Sequence, residues 1–264
     1  MVNHESGMGT GQLAGRVAIV TGGTQGVGRG IALAMAAEGA AVMLSSRTPE
    51  KGAAVVAEIE AQGGRAVYVR ADVGIKAEAQ AVVAETAARF GRLDALVNNA
   101  QSQGPWCTLE EKDDEAFAIA YASGFQATLW TMQAAFPIMR RQGGGRIINL
   151  GSRRGVWGAK QSADYNAAKE AVRGLSRTAA REWGPYNILV NVVCPAANSP
   201  GAEAYFAANP GMAAKILGSI PLRRMGDPVA DIGGLVVGLA SDDACFITGE
   251  TFFADGGMNL KRPE

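Results

Sequence analysis

Short apolar runs alternate with stretches of helical periodicity through most of the chain. Strand-like runs read at about 16–21, 40–45, 65–70, 93–98, 145–151, 187–194 and 251–254. Helical patterns read at about 26–38, 49–62, 76–90, 111–141, 163–183 and 227–241. Several strand runs are almost wholly apolar, as expected when both faces of a sheet are covered. Strands alternating with helices through right-handed crossovers predict an α/β fold: a doubly wound parallel sheet of about seven strands. Its ligand crevice lies beyond the carboxyl ends of the strands. The region 195–226 breaks the alternation, with Pro195, Pro200, Pro210 and Pro221 among small residues. It reads as a substrate lid over that edge, the plainer alternative being a passive excursion.

Composition narrows the class. The chain has 264 residues, 48% of them hydrophobic, enough for a large core in a single domain spanning 13–264. Lys+Arg and Asp+Glu balance at 25 each, with no basic stripe, so no nucleic-acid partner is expected. No apolar run reaches membrane-spanning length, and no membrane partner is expected. Residues 1–12 are small and polar, a loose tail rather than a signal peptide. Cys107, Cys194 and Cys245 are odd in number and far apart, which points to a reducing cytoplasm rather than a disulfide framework or metal site. The single histidine is His4, in the tail. A Ser-His-Asp hydrolase and a histidine-ligated metal enzyme are therefore excluded. Any general acid or base must be Tyr, Lys, Asp, Glu or Cys.

Three stretches carry chemistry. TGGTQGVG at 21–28 follows an apolar strand and opens a helix. Glycines there let a pyrophosphate approach the backbone, and the helix N-terminus favours its charge. Tyr165 and Lys169 are four apart in a helical segment, which puts phenol and ammonium on one face. A cation beside a phenol lowers its pKa and lets it exchange a proton with a substrate oxygen. Ser152 ends the strand before them, where a hydroxyl can hydrogen-bond that oxygen. The stretch 151–155 is not a G-x-S-x-G hydrolase elbow.

TGGTQGVG at 21–28, NNA at 98–100, Ser152, YNAAK at 165–169 and TGETFFADGG at 248–257 stand in order. With the 13-residue step from Ser152 to Tyr165, the chain resembles the short-chain dehydrogenase/reductase family from about residue 13 to 259. The branch it resembles includes 3-oxoacyl-(acyl-carrier-protein) reductases. The resemblance implies a Rossmann-type domain in which Tyr165 is the catalytic acid/base and Ser152 positions the substrate oxygen. Lys169 would lower the Tyr165 pKa and hold the nicotinamide ribose. Gly22, Thr24, Gln25, Gly26, Val27 and Gly28 would form the pyrophosphate turn, and Asp72 and Val73 would flank the adenine. Asn98, Ala100 and Pro195 would complete the cofactor site, with Asn99 partly structural. A homodimer or homotetramer is also implied.

Three positions depart from the family pattern. The usual NNAG appears with Gln101 in place of its glycine, and Ala196 follows Pro195 where glycine is usual. The asparagine that usually anchors a proton relay in the fourth helix falls on Gly124, next to Ser123. The relay must then be rebuilt by water or Ser123, or proton exchange is slower.

The second strand ends Ser45-Ser46-Arg47, with no carboxylate before Glu50. Ser46 and Arg47 suit a 2′-phosphate, which predicts NADP(H) over NAD(H), although Gln25 stands where many NADP-preferring relatives carry a second basic residue. Trp106, Arg154 and Trp157, with Tyr205 and Phe206 in the lid, would suit a hydrophobic or ring-bearing carbonyl or alcohol, with or without an acidic group. Two other readings stay open: a nucleotide-bound scaffold that has lost turnover, and a non-redox lyase or epimerase.

Overall fold

The computed structural model describes residues 11–260, so His4 and most of the expected tail lie outside the described residues. Seven parallel strands run in the order β3-β2-β1-β4-β5-β6-β7. They are β1 Val17–Thr21, β2 Ala41–Ser46, β3 Arg65–Arg70, β4 Ala95–Asn98, β5 Gly145–Leu150, β6 Ile188–Pro195 and β7 Thr251–Ala254. The main helices are α1 Gly26–Ala37, α2 Pro49–Ala61, α3 Lys76–Phe90, α4 Asp114–Ala120, α5 Ala127–Arg141, α6 Arg153–Trp157 and α7 Ala163–Trp183. They continue as α8 Pro200–Ala208, α9 Pro210–Ser219 and α10 Gly234–Ala240.

Successive strand residues face opposite layers, and both layers are apolar. Val20, Leu44 and Ile148 pack with Ile31 and Met35 of α1 and Val236 of α10. Their neighbours Ile19, Met43 and Ile147 pack with Val82 of α3 and Met132 and Met139 of α5. Strand order reverses between β1 and β4, so their carboxyl ends splay and open a crevice there.

Two elements differ from the sequence pattern. The helix expected over 111–141 is interrupted by a π-helical turn, Tyr121–Gln126, between α4 and α5. A π turn leaves carbonyls without their usual i→i+4 donors. Here the Gln101 side-chain amide takes the Ala120 carbonyl at 3.0 Å, and the Ser123 hydroxyl takes that of Ile119 at 2.7 Å. The helix expected over 227–241 likewise opens with a π turn, Pro228–Gly233, before α10. The 195–226 region carries α8 and α9 and is tied back by a bridge between Ala197 and Gly226.

Among the described residues no helix is long and apolar enough to cross a membrane. No cluster of His, Cys, Asp and Glu there could hold a metal.

Candidate functional site

A cleft of about 530 Å³ lies over the carboxyl ends of β1, β2 and β4. Its wall includes Gly22, Thr24, Gln25, Gly26, Val27, Gly28, Ser46, Arg47, Asp72, Val73 and Ala100, all expected from the sequence. Thr21 fastens the floor: its hydroxyl accepts from the backbone N–H groups of Asn99 (3.0 Å) and Ala100 (3.2 Å). The Asn99 amide then donates to the carbonyls of Thr21 (3.0 Å) and Gly22 (3.1 Å). A Cβ at Gly28 would overlap this amide and the Gly22 carbonyl, so the turn closes only over glycine.

Four of the expected cofactor residues, Asn98, Tyr165, Lys169 and Pro195, do not line this cleft. Asn98 is buried behind the cleft, donating to Asn149 Oδ1 at 2.9 Å and accepting from the Thr131 hydroxyl at 2.7 Å. Pro195 ends β6 and does not line the cleft, whereas Ser199 at the N-cap of α8 does.

At the β2 end of the cleft, Arg47 lies 3.8 Å from the Asp72 carboxylate. Lys51, not singled out from the sequence, lines the same end and donates to Gln25 Oε1 at 2.7 Å. A second basic side chain thus stands beside Gln25, from the first turn of α2. Its signal was the Arg47–Lys51 spacing of four at a helix start.

Ser152 caps α6 and accepts the Arg154 N–H at 3.1 Å. The Tyr165 phenol lies beside the Ser152 hydroxyl, and the Lys169 ammonium lies 5.6 Å from the Tyr165 ring centre. Burial raises the phenol pKa above its ordinary value, opposed by the Ser152 hydrogen bond and the Arg154 charge. The Lys169 ammonium donates to the Leu150 carbonyl at 2.7 Å, and burial lowers its own pKa to about 8. The guanidinium carbon of Arg154 also lies close to the phenol, 5.1 Å from the ring centre. The same guanidinium carbon lies 4.0 Å from the Trp106 ring centre. Trp157 donates through its indole N–H to Asn259. The side chain of Tyr205 lies outside the described residues.

The Gly124 departure has a structural counterpart. A Cβ there would overlap Oε1 of Gln101, so the carboxamide of one departure fills the space left by the other. The Gln101 amide nitrogen donates to Ser102 O (2.6 Å) and Ala120 O (3.0 Å), which fixes its orientation and leaves Oε1 buried without a partner. Ser123 is not free to replace the asparagine, since its hydroxyl accepts from the Ser102 N–H at 2.9 Å and donates to Ile119.

Sequence reading also missed Lys112 and Asp164. They form a 2.8 Å ion pair with both side chains 1% exposed. Asp164 also accepts the Gly104 N–H at 2.8 Å, and Lys112 donates to the Pro105 carbonyl. The pair pins the Trp106 loop to the first turn of α7, one residue from Tyr165. Burial pushes the Asp164 pKa up, but hydrogen bonds from Lys112, Gly104 and Tyr165 outweigh it and hold the group below its ordinary value. Its stabilisation is therefore complete above about pH 4 and lost as pH falls through the lowered value. Lys112→Leu leaves the carboxylate buried and unpaired, at a cost of about 3 kcal/mol, or on the order of 10 °C in Tm. The double variant Lys112→Leu/Asp164→Asn should recover much of this. A single-variant Tm within about 2 °C of the parent contradicts a structural pair.

The chain matches the family model described as Enoyl-(Acyl carrier protein) reductase over residues 22–259. It is 38% identical over 254 residues to a 12α-hydroxysteroid dehydrogenase of a Clostridium species, covering 94% of this chain and 98% of that protein. It is 38% identical over 248 residues to a 3-oxoacyl-[acyl-carrier-protein] reductase of Synechocystis, covering 93% and 98%. Levodione reductase superposes with a TM-score of 0.87 at 31% identity, covering 92% of this chain and 97% of that one. A short-chain type dehydrogenase/reductase from Mycobacterium ulcerans superposes at 0.88 with 30% identity, covering 94% and 90%.

Proposed function

Because the chain belongs to the short-chain dehydrogenase/reductase family of oxidoreductases, we propose that it transfers a hydride between NADP(H) and a small carbonyl or secondary-alcohol substrate, with Tyr165 as general acid/base. The observation carrying this reading is the convergence of the Ser152 hydroxyl, the Tyr165 phenol and the buried Lys169 ammonium, one helical turn from Tyr165 and 5.6 Å from its ring centre.

The cleft suits a dinucleotide. The N-terminus of α1 has no side-chain cap and no acidic residue in its first turn, so its N–H groups are available to a pyrophosphate. A bound nicotinamide supplies or accepts the hydride. The chain's residues manage the proton. Ser152 hydrogen-bonds the substrate oxygen and holds it against the Tyr165 phenol. In reduction Tyr165 O–H gives its proton to that oxygen, and in oxidation the phenolate takes it back. Burial keeps the phenol protonated at neutral pH in the free protein, which favours reduction, while oxidation should speed up as pH rises. Lys169 keeps N–H donors beyond the one given to Leu150, and these suit the ribose hydroxyls.

No carboxylate ends β2, and Ser46, Arg47 and Lys51 gather where a 2′-phosphate would sit. The expected result is a kcat/KM for NADPH at least about tenfold above that for NADH, and a loss of about 10–100-fold with NADPH in Arg47→Ser. A wild-type preference for NADH contradicts the assignment.

A homodimer or homotetramer in the cytoplasm belongs to the same reading, and the fully exposed ring of Phe246 supports association. The reading as a whole is tested by following NADPH absorbance over a panel of ketones, 3-oxoacyl thioesters, steroids and sugars. Oxidation with at least one class supports it, and no oxidation with any counts against it.

A further inference from the structure

One cation beside Tyr165 has no partner of its own. The Arg154 guanidinium lies against two rings, with its carbon 4.0 Å from the Trp106 centre and 5.1 Å from the Tyr165 centre. Stacking uses the faces of a guanidinium and leaves its in-plane N–H donors open. Nη2 of Arg154 is buried and makes no hydrogen bond. Of the nearby carboxylates, Asp164 is held by Lys112 and Gly104, and Glu170 pairs through Oε2 with Arg173 at 2.6 Å while its Oε1 is buried without a hydrogen-bond partner. No ion pair forms to Arg154 among the described residues. A half-buried cation with an idle donor is unfavourable on its own, and a ligand anion would complete it.

We propose that Arg154 anchors a substrate carboxylate, and that the substrate is an oxo acid, or the matching hydroxy acid, with its carboxylate one to three carbons from the reacting carbon. The proposal rests on the redox reading above and narrows it to a substrate class. The spacing follows from the geometry. A substrate oxygen held by Ser152 and Tyr165 lies against the same ring that Arg154 covers, so an anion on the guanidinium is only a few atoms away. Ser152 accepts the Arg154 backbone N–H, which fixes the anchor relative to the reacting oxygen. The guanidinium fork matches a carboxylate in bidentate fashion. Trp106, 61% exposed, forms the outer wall of this anchor, and the Lys112–Asp164 pair holds its loop in place.

The test compares 2-, 3- and 4-oxopentanoate with their methyl esters, using NADPH. For at least one pair, the acid should exceed its ester in kcat/KM by about 10–100-fold, mainly through KM. In Arg154→Leu that ratio should collapse to about one. Arg154→Lys keeps the charge but loses the fork, so its ratio should fall between, which also covers the case where the leucine variant folds poorly. The ratio cancels any effect of Arg154 on the Tyr165 phenol, since that effect falls on acid and ester alike. Calorimetric binding of pentanoate to the NADP⁺-loaded protein gives a readout independent of turnover and should vanish in Arg154→Leu. A wild-type ratio near one for all three pairs, a ratio unchanged in Arg154→Leu, or no pentanoate binding to wild type overturns the anchor. Turnover of neutral ketones alongside any of these results leaves the redox reading intact. Loss of all NADPH oxidation, with Arg154-dependent pentanoate binding retained, removes the redox reading and keeps the anion site.

Discussion

Tyr165→Phe should lower kcat for carbonyl reduction by about 10³-fold or more while leaving NADPH binding within a few-fold of wild type. Removing one oxygen deletes the proposed proton donor beside Ser152, but keeps the ring that packs against Lys169 and Arg154. General acid catalysis contributes about 10²–10⁴-fold, and no histidine is present among the described residues to replace it. Lys169, buried and bonded to Leu150, is not placed to protonate a substrate oxygen at Ser152 directly. Single-turnover kinetics with NADPH, alongside fluorescence titration of the cofactor, check both halves. A loss below about tenfold contradicts the role of Tyr165, and a protein that merely holds nucleotide would show no difference between variant and parent.

Gly124→Asn should be the second large effect. The added side chain runs into the Gln101 carboxamide, which is pinned between Ser102 and Ala120 and lines the cofactor cleft. Overpacking at a fixed site costs about 1–3 kcal/mol, so Tm should fall by several degrees and NADPH affinity should drop with it. Gln101→Gly alone strips the Ala120 carbonyl of its donor within the π turn. The double variant Gln101→Gly/Gly124→Asn relieves the overlap and should be better than the sum of the singles, with a coupling of about 0.5–3 kcal/mol. Melting curves and NADPH titrations on the four proteins check the sign. Additive singles, or a Gly124→Asn protein as stable as wild type, contradict the interlocking of these two positions.

The strands were legible because a parallel sheet covered on both faces needs runs such as Val17–Thr21 and Ile188–Pro195, apolar nearly throughout. The Ser152–Tyr165 contact was legible because a strand end and a helix face each fix one partner, and the family resemblance supplied their pairing. The π turn at Tyr121–Gln126 was not, since its freed carbonyl is satisfied by Gln101, some twenty residues away and on another loop. Lys112–Asp164 was missed for the same reason: two charges in polar-looking segments give no sign that they meet in the interior. Asn98 and Asn99 are adjacent and identical in type, and only the sheet decides that Asn99 braces the glycine turn while Asn98 joins Thr131 and Asn149 behind it.

The central claim is that this chain moves a hydride to a carbonyl carbon held between Ser152 and Tyr165. The most direct measurement supplies NADPH carrying deuterium at both C4 positions, together with an oxidised substrate from the carbonyl panel, and locates the label by mass spectrometry and NMR. The expected result is one deuterium on the new carbinol carbon for each NADPH consumed, abolished in Tyr165→Phe. Cofactor consumption with no label in the product, or product formed with no cofactor consumed, would contradict it.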